Sequence, residues 1–275
     1  MANFVNTTLM DGYAGGPHIT EKQSGLANQA IIGEADYVLE GGQNAKAQVL
    51  TNNSIRIFDA VYSIQGRRDV IAANDYTDVT IANGSQGMNR NDIIVRRYRK
   101  NSSSEIESTE YAVIKGTPST GAATDPSVTV GDIRTGAVLH EMKLYRVRLE
   151  GLNIVSVDQL FTVLPSMATM QEDMTPSTET LKSGVRLQRM GKLRILNLVD
   201  TSSAADGTIV NLAAGDRPAN YVFAPAVVRG QTYPDFFISV TPASMGTGKV
   251  GLFRGANVQM QYNGYICSQI AWLVD

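Results

Sequence analysis

The chain has 275 residues, 43% of them hydrophobic, so it can bury the core of two ordinary domains or of one large β domain. Its formal net charge of −2 provides no overall field for nucleic acid or an anionic membrane, and we expect neither as a partner. Cys267 is the single cysteine, which excludes an intrachain disulfide, and its apolar neighbours predict a small buried side chain. Without a secretory signal or an apolar run approaching ~20 residues, we expect synthesis in a cytoplasm and no membrane insertion.

The N-terminal part of the chain combines one helix signal with several strand signals. Thr20 and Gln23 have the spacing of a capping box and predict a short helix over about residues 21–30. Apolar and polar residues alternate over residues 55–58, and after a short break residues 61–65 are a candidate hairpin partner.

The best-marked strand of this part follows a glycine-rich turn. Residues 83–87 supply backbone that tolerates positive φ, and residues 92–98 are β-branched and aromatic without a breaker, which predicts a buried strand. Arg96 and Arg97 predict that the end of this strand reaches solvent or an acidic neighbouring subunit. Residues 108–115 are predicted to pair with it.

A strictly alternating segment over residues 143–149 predicts a further strand, with Tyr145 and Leu149 on one face. A turn then leads into residues 154–157. We therefore expect one β-rich domain over residues 1–161.

Residues 162–183 have a different pattern and are predicted to form a helical neck. Apolar residues recur at three- and four-residue spacing, which is typical of one helix face, and Pro165 and Pro176 break and end the pattern. The stripe would either pair with copies of itself or lie on the first domain, and both interpretations stay open. Its members are Leu160, Val163, Leu164, Met167, Met170 and Met174.

Residues 184–275 return to short strands separated by turns. The first two form a predicted hairpin around Gly191, and the last ends at Leu273, close to the chain end, which predicts a strand inside the fold. So many short strands favour a β-sandwich or jelly-roll-like head. The fold class predicted for the whole chain is mainly β.

The sequence does not assemble a catalytic site. His18 is expected to make a structural hydrogen bond and His140 to lie on the surface. Zinc sites and Ser-His-Asp triads would then lack the histidine that they require. Paired carboxylates can hydrolyse glycans, but the candidates Asp206, Asp216 and Asp235 lie in predicted turns, where aspartate commonly serves the turn itself. We expect a non-enzymatic protein without metal or other cofactor.

Saccharide binding needs aromatic faces for sugar C–H groups and polar side chains for hydroxyls. Tyr233 and Tyr262 stand beside turn residues, and with Asp235, Arg229 and Arg254 they form the predicted saccharide-binding rim. The alternative use of the two tyrosines is to cover a subunit interface. The aromatic residues assigned to the core are Phe237, Phe253 and Trp272.

Eight short motifs stand in a fixed order over about residues 15–161. They are His18-Ile19-Thr20, Ile31-Ile32-Gly33, Asp36-Tyr37-Val38-Leu39, residues 52–57, Gln65-Gly66-Arg67, residues 113–118, Gly131-Asp132-Ile133 and Leu144-Tyr145-Arg146-Val147. Together with residues 83–98 they resemble a segment common in structural proteins of bacteriophage tails and prophage baseplates. The resemblance implies a virion protein, made in the bacterial host cytoplasm and attached to other tail or baseplate proteins.

The C-terminal pattern carries a second resemblance. Its elements are the hairpin over residues 184–198, Gly215-Asp216-Arg217-Pro218, Phe223-Ala224-Pro225-Ala226, residues 238–242 and Gly248-Lys249-Val250. In this order they are similar to head domains of phage tail fibres and receptor-binding proteins, in which three copies usually pack around one axis and bind saccharide. The resemblance implies a homotrimer whose head binds host cell-surface polysaccharide. The alternatives are a tail-associated glycan hydrolase or lyase, and a purely structural adapter that contacts another baseplate protein.

Overall fold

The computed structural model is mainly β, as the sequence predicts. The chain divides into two compact units, Met1–Ser166 and Met167–Asp275, while the finer predicted boundaries at residues 161 and 184 stay predictions. Among the described residues, no helix is long and apolar enough to cross a membrane. The structure describes residues 19–228, 236–255, 258–259 and 266–274.

The described part of the N-terminal unit contains one α-helix and nine strands in two sheets. These are α1 (Glu21–Ile32), β1 (Tyr37–Leu39), β2 (Ala47–Thr51), β3 (Ser54–Ile64), β4 (Arg67–Thr80), β5 (Asn89–Lys100), β6 (Glu107–Ile114), β7 (Leu139–Glu150), β8 (Asn153–Gln159) and β9 (Val163–Leu164). One sheet has the order β2-β3-β1-β9 with β4 beside β3, and the other has the order β6-β5-β7-β8. Apolar side chains from both sheets form a single core.

Helix α1 begins where the sequence predicts. The hydroxyl of Thr20 accepts the backbone N–H of Gln23 at 3.2 Å, and the Gln23 side chain accepts the backbone N–H of Thr20 at 2.9 Å, so the capping box is confirmed. Asn28 donates to the carbonyl of Gly66 at 2.8 Å. A Cβ at Gly66 would lie 2.3 Å from the carbonyl oxygen of Gly25, so both glycines let the helix lie directly on the β3–β4 turn.

The predicted hairpin between residues 55–58 and 61–65 is wrong, because almost all of both segments belongs to the single strand β3. The chain turns instead at Gln65 and Gly66, whose φ values are 45° and 84°, and β3 pairs with β4. Asp59 marked a break in the sequence pattern. It is buried, and its carboxylate accepts hydrogen bonds within the unit, so the strand continues through it.

The strand predicted over residues 92–98 is confirmed as part of β5, which lies between β6 and β7. The prediction that Arg96 leads the chain out to solvent is wrong, because this residue is only 6% exposed. Its guanidinium pairs with the carboxylate of Asp69 and lies 4.4 Å from the centre of the Tyr111 ring. Arg97 is ion-paired with Glu141 on the neighbouring strand. The basic run is therefore neutralised within its own unit.

The described part of the C-terminal unit contains a short helix and ten strands in two five-stranded sheets. These are α2 (Met167–Met174), β10 (Ser177–Lys182), β11 (Val185–Met190), β12 (Leu193–Thr201), β13 (Thr208–Asn211), β14 (Val222–Pro225), β15 (Val227–Val228), β16 (Phe236–Val240), β17 (Lys249–Arg254), β18 (Val258–Gln259) and β19 (Ile266–Leu273). The first sheet has the order β10-β11-β12-β19-β15, and the second has the order β13-β17-β16-β14 with β18 beside β17. Side chains from both sheets, including the predicted core residue Trp272, share one core.

The predicted helical neck over residues 162–183 is largely wrong. Val163 and Leu164 form the short strand β9, which pairs parallel with β1, and Pro165 prevents a helix from continuing through this point. Helix α2 covers only eight residues and buries none of its side chains. The segment after it is the strand β10, which pairs antiparallel with β11.

The last described strand lies between β12 and β15, in agreement with the prediction that the final strand lies inside the fold. Cys267 is half-buried rather than buried, because alternation along β19 directs the neighbouring Ile266 into the core. The Cys267 Sγ lies 3.5 Å from the backbone nitrogen of Asp200.

Candidate functional site

Four of the five residues predicted to form the saccharide-binding rim, Arg229, Tyr233, Asp235 and Tyr262, lie outside the described residues. Arg254 is the last residue of β17 and is half-buried. The predicted rim therefore stays a prediction.

The carboxylate of Asp206 makes hydrogen bonds within its own turn. It accepts the hydroxyl of Thr208 at 2.7 Å and the backbone N–H of the same residue at 3.0 Å, and it lies 3.3 Å from Nζ of Lys249. These contacts, with the Thr208 hydrogen bonds foremost, lower the pKa of Asp206 to about 2. A group this acidic stays ionised and is a poor proton donor near neutral pH.

Asp216 is buried in a different network. Its carboxylate accepts hydrogen bonds from Arg189 and from Arg194 at 2.7–2.8 Å, and Arg189 is the main reason that the pKa of Asp216 is lowered. The indole N–H of Trp272 donates to the backbone carbonyl of Asp216 at 2.8 Å. The aspartate thus joins the first hairpin to the last strand, which is a structural task.

His140 is buried, so the prediction that it lies on the surface is wrong. Its Nδ1 faces the backbone N–H of Gly131 and the amide nitrogen of Gln65, both at 3.2 Å, and therefore accepts. Its Nε2 donates to Asp36 at 2.8 Å. Both ring nitrogens are engaged, which leaves neither for general-base chemistry. His18 lies outside the described residues.

No group of three His, Cys, Asp or Glu side chains in the described ranges is arranged to hold a metal ion. The most unusual surface is instead apolar. Strand alternation places Phe236 in the core and directs Phe237, the next residue, to the outer face of the second sheet. Phe253 is the cross-strand partner of Phe237 on that outer face. The prediction that Phe237 and Phe253 belong to the core is therefore wrong.

Four rings on this outer face form a continuous row, which we call the aromatic face: Tyr221, Phe223, Phe237 and Phe253. The rings of Tyr221 and Phe223 are stacked at 5.9 Å between centroids, and those of Phe237 and Phe253 at 5.3 Å. Phe223 and Phe237 meet edge to face at 6.0 Å, which joins the two stacks. Tyr221 is 45% exposed and Phe223 59%.

Few polar groups accompany the aromatic face. The rings line a shallow hollow of about 380 Å³ together with Ser239, Thr241 and Lys249. The ammonium of Lys249 is held by Asp206, and the Tyr221 hydroxyl donates to Sδ of Met245 at 3.3 Å. The face therefore offers ring surface rather than free charges, and contiguous exposed apolar surface of this kind marks an interaction site.

One sequence signal for the aromatic face was available. Phe236 and Phe237 are adjacent, and successive residues of a strand point to opposite faces of its sheet, so only one of the two can face the core. Tyr221 and Phe223 are two residues apart and therefore share a face. Pairing of β14 with β16, and of β16 with β17, brings all the rings into one row. The glycine-rich segment around Gly246 and Gly248 predicts the β16–β17 hairpin, whereas the β14–β16 pairing was not deduced from the sequence.

Comparison with known proteins does not assign the chain to a family. No protein-family model matches the chain, and no curated protein matches it either.

Proposed function

We propose that this chain is a non-enzymatic structural protein of a phage tail or baseplate, present in the virion as a closed homotrimer. The N-terminal unit attaches it to other tail proteins, and the C-terminal unit is a jelly-roll-like head presented to saccharide on the host surface. The observation that carries the proposal is the aromatic face of the C-terminal unit. The ordered motifs over residues 15–161 support the placement in a tail.

The chemistry of the aromatic face favours a second copy of the chain as its occupant. A saccharide needs open ring faces beside free hydrogen-bonding groups, whereas these rings stack on each other and Lys249 is already paired. Among the described residues of this face, a charged partner finds no free charge. Identical copies bring the same apolar rings to the contact, and aromatic pairs contribute about 0.5–1.5 kcal/mol beyond their buried area.

The size of the aromatic face is suited to the centre of a larger interface. A stable protein interface buries about 800 Å² on each partner, and a few aromatic anchors near its centre supply most of the binding energy. Four adjacent rings on one sheet are such a centre, and the polar surface around them would form the rim.

Light scattering on the purified chain at micromolar concentration tests the proposal. We expect three times the monomer mass of 29.7 kDa. A strictly monomeric mass contradicts it. Incubation with host cell-wall polysaccharide separates the alternatives: retention without cleavage supports a binder, shortened polymer indicates a hydrolase or lyase, and firm binding to a tail protein alone indicates an adapter.

A further inference from the structure

The outer face of the other sheet in the C-terminal unit has the opposite character. Thr180, Arg186, Asn197 and Gln269 stand directly opposite one another on the four adjacent strands β10, β11, β12 and β19. We call this row the polar face. Because neighbouring strands lie about 4.8 Å apart, the row extends over about 14 Å. Its residues point outward, since the residues that alternate with them, such as Leu196, are buried.

The amide groups of the polar face are held in place. Nε2 of Gln269 donates to Oδ1 of Asn197 at 2.7 Å, and Nδ2 of Asn197 donates to Oε1 of Gln188 at 3.4 Å. Each amide can make up to four hydrogen bonds, so this ladder leaves donors and acceptors directed at solvent. A fixed set of such groups binds hydroxyls at a smaller entropic cost than freely rotating ones.

Arg186 is the unusual member of the polar face. Within the described ranges, it is the arginine whose guanidinium makes no hydrogen bond and no ion pair, whereas Arg189 on the same strand holds both Glu179 and Asp216. Its neighbours across the strands, Thr180 and Asn197, are neutral. An unpaired planar guanidinium is suited to bidentate binding of a carboxylate or phosphate group.

The polar face is also concave. Its members Thr180, Arg186 and Asn197 line a hollow of about 880 Å³, which Asp200 also lines. This volume lies within the range of about 300–1,000 Å³ found for small-molecule sites. The hollow therefore combines a free cation, oriented amides and hydroxyls, and enough room for a ligand of several rings.

We propose that the polar face binds an anionic saccharide, with Arg186 holding the carboxylate or phosphate group and Thr180, Asn197 and Gln269 holding hydroxyls. The inference rests on the proposed function, because it requires the C-terminal unit to be presented to a host surface. It assigns the saccharide to a different sheet from the aromatic face, so that self-association and host binding use separate surfaces.

The test measures binding of the full chain to three immobilised polymers by interferometry: a polyuronate, a poly(glycerol phosphate) and uncharged dextran. We expect binding to at least one anionic polymer and at least tenfold weaker binding to dextran. Arg186→Gln should weaken the anionic binding about tenfold or more, and Arg186→Lys, which keeps the charge but loses the planar fork, should weaken it less. The two anionic arms distinguish carboxylate from phosphate.

The matched control is Arg134→Gln, which removes one positive charge from an exposed arginine of the N-terminal unit and should change binding less than twofold. Equal effects of R186Q and R134Q overturn the inference, and so does the absence of binding to both anionic polymers. Thermal unfolding of R186Q checks that the variant folds. Particle mass is measured separately. A monomeric protein that binds the anionic polymer, and loses this binding in R186Q, would contradict the homotrimer and still support saccharide binding by the polar face.

Discussion

Arg96, His140 and Asp216 are polar residues whose burial has no local sequence signal. Each is buried because a partner distant in sequence neutralises or satisfies it: Asp69 lies 27 residues before Arg96, and Asp36 lies 104 residues before His140. Burying a charged or hydrogen-bonding group is tolerated only where such a partner exists. The partner comes from another sheet or from a loop packed against the residue, so local pattern alone assigned two of these side chains to the surface or to solvent.

Gly84 gives a second example at the scale of single residues. The sequence predicts that the 83–87 turn uses glycine for positive φ, and Gly87 has φ of 70°. Gly84 serves a different purpose, since a Cβ there would lie 1.9 Å from the carbonyl oxygen of Gly151. The turn before β5 and the turn between β7 and β8 can approach this closely only because Gly84 has no side chain.

Replacing Asp216 by asparagine is expected to destabilise the C-terminal unit by roughly 3 kcal/mol, because Arg189 and Arg194 would keep their charges without the buried anion. Trp272 is the single tryptophan, and its indole binds the Asp216 carbonyl, so tryptophan fluorescence during urea unfolding reports on this unit. Asp173→Asn, at an exposed position on α2, is the control and should change stability by about 0.5 kcal/mol or less. Equal midpoints for the two variants would contradict the structural role of Asp216.

Acid should act on the same contact. The pKa of Asp216 is lowered in the folded chain, so its stabilising contribution is present above the unfolded pKa of about 3.8 and is lost as pH falls through the folded value. The free energy of unfolding of D216N should therefore decrease less on acidification than that of the unmodified chain.

At the scale of elements, local pattern correctly predicts hairpins with short turns. It is less accurate for long strands and for strands that are recognisable only from their partner strand. The turn around Gly191 between β11 and β12 was predicted because its residues, its turn and its partner are contiguous. β3 was divided because Asp59 looks like a break. β10 was included in the helical neck of residues 162–183, although it follows Pro176, the residue that ends the apolar stripe. Both are strands because a neighbouring strand satisfies their backbone.

The aromatic face also belongs to this scale, and a double variant tests it. Phe223→Ser combined with Phe237→Ser should weaken self-association at least 100-fold, because truncating an interface anchor commonly costs 2 kcal/mol or more. Both side chains lie on the outer face of the sheet, so the unit should still fold. The measurement is sedimentation velocity over a concentration series.

The control for this variant is Val199→Ser. Val199 is 61% exposed and lies on the outer face of the other sheet, so the change removes a similarly exposed apolar side chain from the opposite side of the unit. An unchanged mass for F223S/F237S, or an equal loss for V199S, would rule out the aromatic face as the contact between copies.

At the scale of the whole molecule, alkali is expected to destabilise the N-terminal unit. Burial raises the pKa of four tyrosines in the N-terminal unit, that of Tyr145 to about 12. Their neutral forms stabilise the fold fully below the unfolded pKa of about 10, and this contribution is lost as pH rises through the folded values. The four are Tyr62, Tyr98, Tyr111 and Tyr145.

We therefore expect a pH titration followed by tyrosinate absorbance to show these four of the 11 tyrosines ionising only as the N-terminal unit unfolds. Tyr145→Phe removes a hydroxyl that donates to the Ala45 carbonyl at 2.7 Å, and it should cost about 1 kcal/mol at neutral pH while reducing the sensitivity to alkali. Full, reversible ionisation of all tyrosines near pH 10 with the fold intact would be incompatible with this arrangement.

The sequence by itself determined the β-rich class, the capped helix α1, the short-turn hairpins and the inward final strand, because alternation, capping and turn chemistry act between residues a few positions apart. Only the tertiary structure decided which of two adjacent phenylalanines faces outward, which of the described arginines stays unpaired and which aspartate is buried between two arginines. These outcomes depend on strands brought together from distant parts of the chain, where a side chain's neighbours, and not its own identity, set its burial and charge.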